Sequence, residues 1–440
     1  MKSHTFRLSL IVAVVAVLIL TLSPKVIGIG IQSSTIDNIL NLIPPEAESE
    51  FEITQQSLSS GWFQSESSLE LVYTPIGSEA IALEFDLQID HGPLLMTTDG
   101  PKFGLAYANI TPHLRNNAFD LVVADLPFEL PAIALDLIAG FDQSLLIELE
   151  VSPVNYSGAD GEVVFGGLTS SFKSDSDLSA DFEILMGQLR ANENSARLNF
   201  NISGLEINTE TEEISNVLAP SKASFHIPVI ESSSPYPLRI ANFSSNTSLS
   251  NLGGSNEQLS IEKSIVIKEI SSNFPLNSFS WQIGLEELDA QALSLYYALL
   301  YELQVEMEKD EGSTSPAISR ISQELLLITV KNALAFNNTL EANAYGGDHR
   351  ANINIHWNGM PALNDVARMD INEALEALSF DLDISLDLEA VMSSPLAEMV
   401  DPYVQQGYVQ LDNGRVLIRA SLQDSVLTLN DEETAVGQFF

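Results

Sequence analysis

From about residue 50 onward, apolar and polar residues alternate with a period of two, and this pattern constrains the fold more than any other feature of the chain. Ile81, Leu83, Phe85, Leu87 and Ile89 are interleaved with Ala82, Glu84, Asp86, Gln88 and Asp90. Successive side chains of a strand point to opposite faces, so such a segment has one oily and one wet side. The alternation returns at Leu145/Ile147/Leu149/Val151, Leu198/Phe200/Ile202, Ile265/Ile267 and Ile353/Ile355/Trp357. It returns again at Leu382/Ile384/Leu386/Leu388 and Val416/Ile418, and Val426 begins a last short strand. Turn sequences separate the runs: Gly158-Ala159-Asp160-Gly161, Gly253-Gly254-Ser255-Asn256 and Asp412-Asn413-Gly414. Short alternating strands without intervening helices predict antiparallel sheet, whose apolar face must be covered by another sheet, a helix or a ligand.

One stretch breaks the pattern. Between about 285 and 337, Leu288, Ala292, Leu295, Leu299 and Leu303 recur at helical spacing. After the polar loop Lys309–Ser313 a second stripe follows, Ile318, Ile321, Leu325 and Ile328, with Pro316 in its first turn. This predicts a helical hairpin, packed on the sheet. Shorter helices are expected at 33–44, 361–378 and 393–406, and loops at 232–237 and in the Ser/Asn-rich stretch 243–256. The expected class is α+β, predominantly antiparallel β, with extended or curved sheets and the helical hairpin near 285–337.

The first residues carry a different signal. Lys2, His4 and Arg7 precede an apolar run from Leu8 to Leu22, which resumes at Val26 after Ser23, Pro24 and Lys25 and continues to Ile31. Residues 8–31 reach the length of about 20 residues that spans a bilayer, and no pair of small residues at cleavage spacing follows the run. We therefore expect one uncleaved N-terminal transmembrane helix at 8–31, with a cytoplasmic tail at 1–7. The N-terminal cations set that orientation. Beyond the anchor, 32–284 is expected as a β-rich region, and 285–440 as the helical hairpin followed by a C-terminal β region.

Charge excludes one class of partner. Beyond residue 31 the chain has 16 basic and 60 acidic residues, net −44, which repels phosphate backbones and argues against nucleic-acid binding. The acids are scattered, as solubility alone would leave them. With no cysteine, the fold depends on burial without disulfides.

Sites of chemistry are sparse. His349 and His356 flank a turn and a strand and read as ordinary sheet histidines rather than a metal pair. Asp381, Asp383, Asp387 and Glu389 are expected on one face of a single strand, as a solvated face lacking the loop that wraps calcium. Asp90-His91-Gly92-Pro93 reads as a strand stop whose imidazole caps backbone, ahead of its alternative as a catalytic base. No catalytic, cofactor-binding or metal-ligating set is assigned.

Two motifs carry a family resemblance. Gly61-Trp62-Phe63-Gln64-Ser65-Glu66-Ser67 resembles the "GWFSSEA"-like stretch near the start of YdgA-like bacterial envelope proteins. Ile89-Asp90-His91-Gly92-Pro93 is similar to the "DHGP" element of that family. Gly407-Tyr408, Gly414 and Leu427-Thr428-Leu429-Asn430 look like its terminal hairpin, with Asp431 standing where the family has glycine. The resemblance implies an inner-membrane protein with a periplasmic body, and brings no established activity and no catalytic residues. The motif residues singled out are Gly61, Trp62, Phe63, Ser65, Asp90, His91, Gly92 and Pro93. The expected function is a non-enzymatic, membrane-anchored scaffold with a structural or interaction role, partnered by the bilayer through 8–31 and by another envelope protein. The alternatives are a carrier of lipid or another apolar ligand in a sheet-lined groove, and last a hydrolase using His91.

Overall fold

The computed structural model describes residues 51–434, apart from 75–80, 99, 115–130, 160, 194–197, 234–236, 253–256 and 310–315. The segment 8–31 and the helix expected at 33–44 lie outside the described residues. Among the described residues, no helix is long and apolar enough to cross a membrane.

The strands of the first half are β1 (Phe51–Ser60), β2 (Gln64–Tyr73), β3 (Ile81–His91), β4 (Leu94–Thr97), β5 (Gly100–Phe103) and β6 (Ala106–Leu114). They continue as β7 (Ile133–Ala139), β8 (Leu145–Val151), β9 (Val154–Ser157), β10 (Gly161–Phe165), β11 (Leu168–Ser174) and β12 (Ala180–Met186). In the second half come β13 (Leu189–Glu193), β14 (Leu198–Ile202), β15 (Leu205–Thr211), β16 (Ser221–Ser232), β17 (Leu238–Asn251), β18 (Gln258–Ser272) and β19 (Leu276–Asp289). Helices α1 (Ala290–Lys309) and α2 (Pro316–Lys331) precede β20 (Leu334–Ala344) and β21 (Gly347–Trp357). Then follow α3 (Ile371–Ala377), β22 (Leu378–Asp387), α4 (Leu388–Met392), α5 (Ala397–Gln405), β23 (Gln410–Asp412), β24 (Arg415–Gln423), β25 (Val426–Leu429) and β26 (Glu432–Thr434). The architecture is mostly antiparallel sheet with a few helices, and the strands do not close into a barrel.

The chain divides into two compact units. One comprises Met1–Tyr156, Phe165–Gly187 and Glu210–Val217; the other comprises Ser157–Val164, Gln188–Thr209 and Leu218–Phe440. In the first, antiparallel strands run in the order β1-β2-β3-β6-β7-β8-β11-β12. The period-two pattern explains its core: Leu69, Leu87, Ile89, Ala106, Ala108 and Ile110 share one face and cluster, with Phe85, Leu135 and Leu137 against them. The short hairpin β4–β5 interrupts this sheet between β3 and β6.

In the second unit the antiparallel order is β14-β16-β17-β18-β19-β20-β21-β22-β24, with β23 and β25 sharing the outer side of β24. Its apolar face is read across strands: Ile265 pairs Trp281, Trp281 pairs Leu340, Ala351 pairs Ile384, and Ile384 pairs Ile418. A satellite cluster of Val391, Val400, Val409 and Val416 holds α4 and α5 against the ends of β22 and β24.

Three local expectations are corrected. Residues 243–251 are strand, not loop: they lie in β17, between β16 and β18, whose ladders satisfy the backbone of a Ser/Asn-rich segment that has little strand propensity of its own. The helical hairpin begins at Ala290, so Leu288 belongs to β19, where it pairs Leu259. Asp387 and Glu389 leave the strand on which Asp381 and Asp383 lie, because Asp387 caps α4 by accepting from the Ala390 amide at 2.9 Å. The two helices of the hairpin bury Leu299, Ile321 and Leu325 mainly between themselves.

Candidate functional site

The family-motif residues are scattered over 30 positions but meet at one end of the first sheet. The β1–β2 turn is closed by the Gly61 amide donating to the Gln64 carbonyl at 2.7 Å. Gly61 is required there, because a Cβ would lie 2.6 Å from the Gln64 oxygen. The turn is tied to the end of β3 by the His91 amide, which donates to the Phe63 carbonyl at 2.8 Å. Gly92 then donates to the Leu105 carbonyl at 2.7 Å, and any side chain on it would run into the Gly104 carbonyl.

His91 continues the inward row of Leu87 and Ile89, at the rim of the core. It is 3% exposed and Ser65, on the neighbouring strand, is 5% exposed. The His91 Nε2 lies 2.9 Å from Ser65 Oγ, and Nδ1 lies 3.4 Å from the Trp62 carbonyl oxygen. A carbonyl only accepts, so Nδ1 carries the proton and the Ser65 hydroxyl donates to Nε2. A hydroxyl–imidazole pair oriented by an acceptor has the spacing of a nucleophile and its base. Here both groups are enclosed, and what they join is the β1–β2 turn to β3. Asp90 faces the other side of the sheet; burial raises its carboxyl above the usual carboxylate range, and neighbouring His91 partly offsets this.

On that wet face, the Asp136 carboxylate accepts from Tyr107 Oη at 2.8 Å, Asn109 Nδ2 at 2.9 Å and Thr98 Oγ1 at 3.0 Å. The cluster fastens the tip of the β4–β5 hairpin to the sheet. Burial and the bond to Asp136 raise the Tyr107 hydroxyl above its ordinary value.

The second unit contains an apolar recess of about 750 Å³. Its floor is the register row Leu334–Trp357–Leu378, one residue from each of β20, β21 and β22. Thr329 and Val330, at the end of α2, form one wall; Ile371, Ala374 and Leu375 of α3 form the other. Backbone and indole bonds fix both walls. Trp357 Nε1 donates to the Val330 carbonyl at 2.9 Å, and the Asn358 amide donates to the Ala377 carbonyl at 2.9 Å. Asp370 caps α3, accepting from the Asn372 amide at 2.7 Å. The floor and wall side chains remain only partly covered, and Ile371 at the lip is 73% exposed. The volume falls in the range of about 300–1,000 Å³ typical of small-molecule pockets. With no ionisable side chain in its lining, the recess is suited to an apolar guest.

The remaining candidates stay apart. His349 bonds the Ala344 carbonyl at 3.0 Å and His356 bonds Glu287 at 3.1 Å, seven residues apart on β21 and so on opposite faces. Among the described residues, no three His, Asp or Glu side chains are grouped to hold a metal ion. Asp383 lies beside its cross-strand partner Arg419, at 3.9 Å. Sequence reasoning did not reach the recess, because each of its residues reads locally as ordinary core. The terminal motif gains a clear role instead. Buried Asn430 accepts from the Arg419 amide at 3.0 Å through Oδ1 and donates to the Gly407 carbonyl at 2.8 Å through Nδ2. Asn430 (φ 49°) and Asp431 (φ 69°) both take the left-handed conformation, so aspartate serves at the family's glycine position.

A family model described as a bacterial protein of unknown function, DUF945, matches residues 5–436. No curated protein and no solved structure matches the chain.

Proposed function

This chain belongs to the bacterial family of unknown function DUF945, and we propose that it is an envelope protein whose periplasmic body binds an acyl chain or a similar apolar ligand. In this reading residues 8–31 hold it in the inner membrane. The likeness to YdgA-like proteins is compatible with the family and supports that location. One observation carries the ligand: the recess on the floor Leu334–Trp357–Leu378, apolar throughout and open at Ile371. A sheet face covered by its own helices would have left no such space. Guests of this kind gain roughly 25 cal/mol for each Å² of apolar surface taken from water.

Trp357 makes the reading testable, because its indole is part of the floor. Dibromostearate, titrated into the purified full chain, is expected to quench tryptophan emission saturably. Trp357→Phe should remove that component, and Ala374→Phe, which fills the recess, should abolish saturable binding. Quenching that is linear in the probe and identical in both variants would refute the proposal.

A second reading, an interaction scaffold, draws on the outer face of the helical hairpin, where Leu295, Leu326 and Met307 are more than half exposed. Crosslinking through this face in intact membranes, recovering one defined partner, would favour it.

A further inference from the structure

The registers of the first sheet place one set of turns along a single edge. Ser60 pairs Ser65, Ser65 pairs Ile89, His91 pairs Ala106, and Ala106 pairs Ala139. Ala139 pairs Leu145, Leu145 pairs Ser174, and Ser174 pairs Ala180. The β1–β2 turn, the β4–β5 hairpin, the β7–β8 turn and the β11–β12 turn therefore all rise from the same end of the eight strands. At about 4.8 Å between strands, this rim is about 34 Å long.

Each of these turns ends in large apolar side chains. Trp62 (48% exposed) and Phe63 (55%) cap the first turn, and Phe141 and Leu178 cap the last two. The hairpin is two-faced. Leu95 is fully buried beneath it, while Leu94, Met96 (64% exposed), Pro101 and Phe103 (76%) point outward. Its position is held by Asp136 through Thr98, so these side chains are presented by anchored loops. Separate projecting tips do not make the continuous flat surface that a folded protein partner would bury. They suit a partner that closes around each tip.

The geometry points to the rim as a contact edge for a bilayer surface, with Trp62, Phe63, Met96 and Phe103 inserting at the interface between headgroups and acyl chains. Aromatic side chains favour that depth, where the ring is buried and its polar edge stays wet. The chain supplies the nearness. The apolar segment 8–31 is followed by only 32–50 before β1 begins. At about 3.3 Å per residue that stretch reaches about 60 Å, longer than the roughly 33 Å of β1, which ends at the rim. Asp142, Asp175 and Asp177 flank the tips; hydrogen bonds from Ser144 lower the Asp142 carboxyl, and hydrogen bonds from Ser179 lower that of Asp177, so both stay ionised. The edge therefore selects zwitterionic headgroups over anionic ones. The inference shares with the proposed function only the closeness of the membrane; it does not involve the recess.

The test uses the full chain with vesicles of phosphatidylcholine carrying brominated acyl chains, comparing wild type with Trp62→Phe, a change at an exposed site. Flotation reads association, and tryptophan quenching reads depth. We expect wild type to be quenched roughly twofold more than Trp62→Phe, with the difference lost in Met96→Asp/Phe103→Asp. Quenching that survives in Trp62→Phe but disappears in Trp357→Phe belongs to the recess, which separates the two ideas. Flotation with equal quenching of wild type and Trp62→Phe would overturn the rim while leaving the anchor. No flotation would overturn both. A lipid-free, concentration-dependent blue shift of Trp62 would assign the rim to a second copy instead and also overturn the inference.

Discussion

The Ser65–His91 tie predicts a specific coupling in stability. In Ser65→Ala, the buried Nε2 loses the hydroxyl that donates to it at 2.9 Å, inside a site where His91 is 3% exposed and water cannot substitute. An unsatisfied buried polar atom costs about 1–3 kcal/mol. For a cooperative unit of about 150–250 residues, each kcal/mol lowers Tm by about 2–4 °C, so a fall of about 2–12 °C is expected. His91→Phe keeps most of the ring volume but strands the Ser65 hydroxyl, and should cost a similar amount. The double variant Ser65→Ala/His91→Phe removes both halves of the bond and leaves only the long contact at the Trp62 carbonyl unmade. Its cost should therefore fall short of the sum of the singles by about 1–2 kcal/mol, within the range for contacting residues. Urea unfolding of the four proteins, followed by near-ultraviolet circular dichroism, gives the cycle. Additivity to within about 0.5 kcal/mol would show that the pair does not hold the turn to the strand, and the structural account of this family motif would be wrong.

Further outcomes follow from the same physics. Asn430→Ala leaves the Arg419 amide and the Gly407 carbonyl unpaired and puts alanine at a left-handed φ of 49°; a loss of about 2–4 kcal/mol is expected in thermal melts, and Asn430→Asp, which keeps the acceptor, should lose about half of that. Gly347→Ala drives a Cβ to 2.5 Å from the Asp387 Cβ and 2.6 Å from the Ala390 Cβ, for an overpacking cost of about 1–3 kcal/mol that Ala390→Gly relieves only in part. Asp90 has a raised carboxyl in the fold, so the folded protein holds its proton longer than the unfolded chain. Its contribution is most favourable at low pH and is lost as pH rises through the raised value. Asp90→Asn should remove this loss and melt above wild type at neutral pH, with the gap closing in acid; an equal gap at both pH values would contradict the assignment.

Much of the architecture was legible because it rests on a local rule. Alternation at Ile81–Ile89 predicted β3, and Asp412-Asn413-Gly414 predicted a turn that Asn413 and Gly414 make with positive φ. The rule failed where stability comes from neighbours. β17 is Ser/Asn-rich, and its strand character depends on β16 and β18 on either side. Leu288 fits a helical stripe, yet pairing with Leu259 keeps it in β19. The Asp387 carboxylate looked like one of a row, but its position ahead of Leu388-Glu389-Ala390 made it a helix cap.

The sites were legible only in part, for a different reason. A motif such as Gly61-Trp62-Phe63 or Asp90-His91-Gly92-Pro93 is visible because backbone geometry demands particular residues at fixed places: glycines where a Cβ would strike a carbonyl, a histidine where two polar atoms must be met inside the core. An apolar recess makes no such demand. Leu334, Trp357 and Leu378 are 44 positions apart in sequence from first to last, and each is an unremarked strand residue until the register lays them side by side. The tips Trp62, Met96, Phe103 and Phe141 likewise become a row only once His91, Ala106, Ala139 and Leu145 are seen to end at one level. Apolar surface that binds something and apolar surface that fills a core use the same residues. They differ only in what the fold leaves uncovered, and for that reason the decisive measurements on this protein are ones that report which apolar side chains a lipid can touch.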